Sequence, residues 1–196
     1  MKKDILEGKL YKYNDSLKED HKRAHQFMEA YNTFNLDNDT RKQLLENTFK
    51  HVGKNAHVNP PLYIDYGYNI SIGDNFYANF DCIFLDVNTI TIGNNCLFGP
   101  RVSLYTAGHP IDKAIRNEGY EFGYPITIGN DVWVGGNVVI NPGVTIGNGV
   151  VVASGSVVSK DIEDNVLVAG VPAKVIRKIG EVDRLYWQKE KERSKW

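Results

Sequence analysis

Of the five histidines in the chain, His109 is the one whose neighbours restrict it. It stands between Gly108 and Pro110 in the stretch YTAGHPID, Tyr105 to Asp112. A backbone so limited presents the ring in one orientation. An imidazole, with an ordinary pKa of about 6.5, removes a proton from a hydroxyl at neutral pH, so His109 is a candidate general base. Taken alone, it would read as a loop residue capping a turn. His21, His25, His51 and His57 lack any comparable context and read as structural or solvent-exposed. Cys82 and Cys96, the only cysteines, read as buried free thiols rather than a disulfide or metal pair.

The segment that carries His109 interrupts a repeat. Counting in sixes from Ile128 gives Val134, Ile140, Ile146, Val152 and Val158, and the positions four further on are Val132, Val138, Val144, Val150, Ser156 and Ile162. Only Ser156 is polar. A period of six fits neither a helix nor a simple strand alternation; it fits short straight segments joined by turns, each pointing two side chains into a narrow interior. The Gly, Asn and Asp residues between them suit tight corners. Val52, Val58 and Ile64, then Ile72, Ala78 and Phe84, then Ile92, Phe98 and Leu104 follow the same rule in coils of 20 residues. The regular run resumes at Ile128, so about 16 residues are inserted after Leu104. Trp133, between the inward-facing Val132 and Val134, must point outward. Before the repeat, Phe27, Ala30, Tyr31 and Phe34 stand at helical spacing, and Asp39-Thr40 reads as a helix start.

With EGKLY, NPPLYIDYGYNISIG, FYANFDC, GHP, DVWVGGNVVINPGVTIG and AGVPAKVIR in one chain, the sequence resembles the hexapeptide-repeat sugar O-acetyltransferases of the maltose, galactoside and nodulation type. The resemblance covers nearly the whole chain. It implies a mainly β fold, a left-handed parallel β-helix over residues 52–179, preceded by a small helical section at 1–51, carrying an inserted loop at about 105–125, and followed by a charged tail at 180–196. The tail, EVDRLYWQKEKERSKW, reads as a short helix ending in Trp196, without assigned function.

The resemblance also implies roles. His109 becomes the general base for acetyl transfer from acetyl-CoA to a sugar hydroxyl by direct attack, with Asn79 orienting acceptor, donor and histidine. Tyr77, Asn79, Asp65 and Asp86 face the acceptor, and His21 takes the place of a basic acceptor contact on the N-terminal helix. On the donor side, Trp133 lies along the pantetheine arm and the Gly136 N–H meets the thioester carbonyl. Ser154, Ser159, Lys160, Lys174 and Arg177 hold the pantetheine and phosphates. A homotrimer with sites between subunits is implied, and no metal is required. Because a solenoid coil positions side chains but has no cleft of its own, an inserted loop reaching a neighbouring chain explains why the repeat stops at His109.

The bulk numbers agree with an ordinary soluble domain. With 23 basic and 24 acidic residues, net charge -1, neither nucleic acid nor an anionic membrane is indicated as main partner. The N-terminus MKKDILEGKLYKYND has no apolar run of signal length, so a cytoplasmic protein is expected. Three other readings remain open at this point: acetylation of an antibiotic or amino-sugar, a carbonic-anhydrase-like trimer holding zinc between subunits, and a non-catalytic trimeric scaffold.

Overall fold

The computed structural model describes residues 2–194; Trp196 lies outside them. The six-residue rule produces a parallel β-helix with three walls. The first wall stacks His51–Val52, Ile70–Ile72, Ile90–Ile92, Ile126–Ile128 and Thr145–Ile146. The second stacks His57–Val58, Tyr77–Ala78, Leu97–Phe98, Trp133–Val134, Val151–Val152 and Val166–Ala169, and ends on the antiparallel strand Lys174–Lys178. The third stacks Leu62–Ile64, Cys82–Leu85, Ser103–Tyr105, Val139–Ile140 and Val157–Val158. Ile72 pairs with Ile92, 20 residues on, and Ile92 with Ile128, 36 residues on. The extra 16 residues are the insertion.

All twelve positions of the later hexads are buried, as are the earlier ones except half-buried Val52. Each such aliphatic side chain contributes about 1.5–3 kcal/mol through burial. Ser156, the polar exception, is satisfied: its hydroxyl donates to the Ala153 carbonyl at 2.6 Å and accepts from Gly170 N–H at 3.1 Å. Cys82 and Cys96 are buried free thiols in the same core. At the corners between the first and second walls, Asn55, Asn75, Asn95 and Asp131 adopt positive φ and form a side-chain ladder with steps of 2.9–3.1 Å. Short polar side chains tolerate that left-handed backbone and bond to each other between coils.

Helices cover the open end of the first coils. After α1 (Lys2–Leu6), α2 (Asp15–Tyr31) buries Leu17, Asp20, Ala24, Phe27 and Tyr31, and α3 (Asn38–Thr48) adds Arg41 and Leu45. The Tyr31 hydroxyl donates to the Val58 carbonyl at 2.6 Å, and Arg41 caps the Tyr31 carbonyl. The helical stripe differs from its expected course at two residues. Ala30, still within α2, lies on its exposed side, and Phe34 is 94% exposed because the helix stops at Asn32, whose side chain instead pairs with both backbone groups of Leu62 at 3.0 and 2.9 Å. The second helix start is capped by Asp37, which accepts from Thr40 N–H at 2.9 Å.

The insertion is more ordered than a loop. Ala107–Gly108 pairs antiparallel with Tyr120–Gly123, α4 (Lys113–Asn117) spans the tip, and Tyr11–Lys12 from the N-terminus adds a third strand. Buried Asn88 ties the arm down, donating to the carbonyls of Ile5 at 3.1 Å and Gly123 at 2.8 Å. After the coils, α5 (Glu181–Arg193) buries no residue. No helix among the described residues is long and apolar enough to cross a membrane.

Candidate active site

His109 follows directly on the strand Ala107–Gly108. A Cβ at Gly108 would come within 2.7 Å of the Phe122 ring, so only glycine lets the arm close at that point. On the other side, Arg116 donates from Nη1 to the carbonyls of Pro110 and Ile111, each at 2.9 Å. The backbone is thus fixed on both flanks while the imidazole itself is exposed and makes no hydrogen bond among the described residues.

The other expected residues fall into two groups, one at each edge of the third wall. At the edge shared with the second wall are Asn79, Gly136 and Ser154, next to the outward column of that wall, which carries Tyr77 and Trp133. These two are two coils apart, roughly 10 Å at the usual strand spacing, with Leu97 between them in register. Tyr77 is held by two residues from the coil below: Asn59 Nδ2 donates to its hydroxyl at 2.7 Å, and the His57 ring stacks on it with centroids 5.9 Å apart. Asn79 Oδ1 accepts from Phe80 N–H at 2.8 Å, leaving Nδ2 free to donate.

Among the described residues the Gly136 N–H has no acceptor, although the amides on either side are engaged, Gly135 with the Val152 carbonyl and Asn137 with that of Pro100. A Cβ at Gly99 would sit 2.5 Å from the Gly136 nitrogen, so glycine at 99 keeps this amide clear. Ser154 stacks directly against Gly135, where an added Cβ would meet its hydroxyl at 2.6 Å. Trp133 is 56% exposed. Together these give an open groove with one free backbone donor, an indole wall and a free amide donor, suited to holding an extended chain and stabilising charge on a carbonyl oxygen.

At the opposite edge of the third wall lie His109, Asp65 and, further along, exposed Ser159 and Lys160. Burial, with Asp86 and Glu121 nearby, raises the Asp65 carboxyl to about 7. His21 Nε2 is 3.8 Å from Asp65 Oδ1. That is beyond hydrogen-bond reach, and burial lowers the His21 pKa while it raises that of Asp65, each shift being toward the neutral form. His21 is instead held by Tyr13, whose hydroxyl is 3.0 Å from Nδ1, and by stacking on Tyr66 at 4.8 Å.

Asp86 does not take the expected acceptor role. It is fully buried and its carboxylate accepts from the backbone N–H groups of Tyr66, Gly67 and Asn69 at 2.8, 2.8 and 3.1 Å. Its lone pairs serve the preceding coil's corner, leaving no face for a ligand. Arg177 is likewise engaged, donating to both oxygens of Asp183 at 2.8 and 2.6 Å, whereas Lys174 and Lys160 are exposed and have no ion-pair partner among the described residues. Tyr13, His57, Asn59 and Gly99 were not singled out by sequence. The 20-residue coil step, which puts His57 under Tyr77, is the signal that finds two of them. Among the described residues, no three His, Cys, Asp or Glu side chains are placed to hold a metal ion.

Residues 125–160 match the bacterial transferase hexapeptide (six repeats) family, so fold and groove define a hexapeptide transferase. Residues 5–53 match the maltose acetyltransferase hexapeptide capping motif. The chain is 45% identical over 150 residues to the galactoside O-acetyltransferase of Escherichia coli (strain K12), covering 76% of this chain and 74% of that one. A solved maltose O-acetyltransferase from Clostridium difficile 630 superposes with a TM-score of 0.90 at 45% identity, over 92% of this chain and 97% of that chain. A galactoside acetyltransferase in complex with coenzyme A gives a TM-score of 0.90 at 46% identity, over 94% and 93%. The chain belongs to the hexapeptide-repeat sugar O-acetyltransferase family.

Proposed function

We propose that the protein transfers acetyl from acetyl-CoA to a hydroxyl of a maltose- or galactoside-like sugar, as a trimer whose sites lie between subunits. The observation that carries this reading is the division of the groups over the two edges of the third wall: His109 on its fixed arm at one, Asn79, Trp133 and the uncommitted Gly136 amide at the other. Three prisms with their third walls toward a common axis bring one edge of each against the other edge of the next. The outward column of that wall, Tyr63, Ile83, Ser103, Val139 and Val157, is apolar enough to be covered, and symmetric closure supplies the missing side of the groove.

In such a site His109 takes the proton of the acceptor hydroxyl as its oxygen bonds to the thioester carbonyl carbon. The Gly136 N–H donates to the carbonyl oxygen as charge develops there. His109 then returns the proton to the departing thiolate, so acetyl ester and free thiol leave. Asn79 Nδ2 orients the groups, Trp133 lines the donor arm, and Lys160 and Lys174 face its phosphates. Asp65 and Tyr77 meet the acceptor.

Thiol release from acetyl-CoA with a sugar panel tests the chemistry, and mixed trimers test the sharing. Chains carrying His109→Ala and chains carrying Asn79→Ala are each inactive when alone; refolded together, they regain activity at sites that draw one intact residue from each. If mixing restores nothing while co-purification through a tag on one variant shows mixed trimers, His109 and Asn79 do not serve a common site across the interface.

A further inference from the structure

The helix α5 presents a contradiction. It is a charged helix with no buried residue, and Val182, Leu185, Tyr186 and Trp187 are exposed on it; nevertheless its first turn is held firmly. Asp183 receives both Nη groups of Arg177 and the Gly180 N–H at 3.1 Å, and Ile179 N–H donates to the Asn165 carbonyl at 2.7 Å. The Arg177 guanidinium draws the Asp183 carboxyl down to about 2, so this bidentate pair persists over the whole working pH range. Residues 183 and 187 are one turn apart and share a helix face. That face is turned to the second wall, where Trp187 closes a cleft of about 410 Å³ whose floor is Trp133, Val151 and Leu167.

We propose that Trp187 is a donor-binding residue, closing the cleft from the side opposite Trp133 around the unbranched arm of acetyl-CoA; this rests on the acetyl-CoA reading above. The cleft is apolar along most of its length and polar where the Arg177–Asp183 pair borders it; beyond that pair the same strand carries the exposed Lys174, opposite Ala169. A ligand that is apolar along its stem and carries phosphates at the far end matches both features. The size suits a bound chain, since ligand pockets of this kind run from about 300 to 1,000 Å³ with apolar walls and few polar groups. Two indoles facing one stem remove water from both its sides. The ion pair gives an otherwise unpacked helix the fixed position that Trp187 needs.

Calorimetric titration of the full-length protein with acetyl-CoA and with S-acetylpantetheine, which lacks the nucleotide, tests this. Trp187→Ala is expected to weaken both ligands about tenfold, roughly 1.4 kcal/mol; Trp187→Phe is expected to recover most of the loss, and Lys174→Ala to weaken acetyl-CoA alone. Because α5 buries nothing and Lys174 is exposed on its edge strand, these variants leave the coils intact. Wild-type affinity for both ligands in Trp187→Ala would overturn the proposal. So would a change of oligomeric state on light scattering in that variant, which would assign the helix to subunit contact. A wild-type protein that binds neither ligand would instead remove the acetyl-CoA reading itself.

Discussion

Facing outward from the first wall, coil by coil, are His51, Ser71, Thr91, Thr127 and Thr145; facing outward from the second are His57, Tyr77, Leu97, Trp133, Val151 and Leu167. The two columns sit on the same backbone, in the same register, over the same aliphatic interior. Threonine is a good strand residue that solvates its hydroxyl, so the first wall meets water without cost. Aromatic and aliphatic side chains held outward on a strand are stable there too, but they leave apolar surface in water unless something covers it. The inward hexad therefore sets the shape and the outward residues set the use, and in the function proposed above the second wall is the one that receives a ligand.

That contrast is most sharply tested where the arm meets the groove. His109→Ala is expected to lower kcat by about 10²- to 10⁴-fold, the usual range for loss of a general base, with KM values little changed and the melting temperature unaltered, since the exposed His109 ring makes no hydrogen bond among the described residues. Turnover within a few-fold of wild type by a variant that still binds acetyl-CoA would move the search for the base to Asp65. A smaller effect separates the walls directly. Trp133→Ala is expected to raise the acetyl-CoA KM about tenfold, the loss of one well-packed aromatic contact, whereas Thr127→Val at the matching place on the first wall leaves kinetics unchanged. Equal responses from the two would abolish the functional distinction between the columns.

The interior was legible in the sequence because a six-residue period has few structural solutions and each violation is visible: Ser156 marked a special position and the gap after Leu104 marked the arm. The outward direction of Trp133 followed from the same count. What could not be read was satisfaction by the backbone. Asp65 and Asp86 look alike in sequence, yet three N–H groups surround Asp86 and none is bonded to the Asp65 side chain; that difference depends on how the corners of two successive coils fold over each other. The antiparallel pairing of Tyr11–Lys12 with the arm was hidden for a related reason. Contacts spanning 110 residues, such as Tyr11 with Glu121 at 2.7 Å, leave no local pattern. Phe34 misled because its spacing fits a helix that Asn32 terminates.

Corners offer the finest version of the comparison. At the junction of the first and second walls every ladder residue from Asn55 to Asp131 is bonded to the next coil, an arrangement that serves stability. At the junction of the third and first walls the half-buried Asp65 stands near other carboxyls with its pKa raised to about 7, against about 3.9 in an unfolded chain. The folded protein then holds more protons than the unfolded one between about pH 4 and pH 7, so this residue makes stability fall as pH rises through that window and adds no further loss above it. Asp65→Asn keeps the shape and removes the titration. Its melting temperature relative to wild type is expected to be lowest near pH 4 and to climb until about pH 7, then to stay level. The same offset at pH 5 and pH 8 would mean that Asp65 is ordinary, and that this corner, like the laddered one, is tuned for the fold. A rising offset would mark a carboxyl kept at a cost in stability, which is the pattern expected where a buried titratable group meets a substrate.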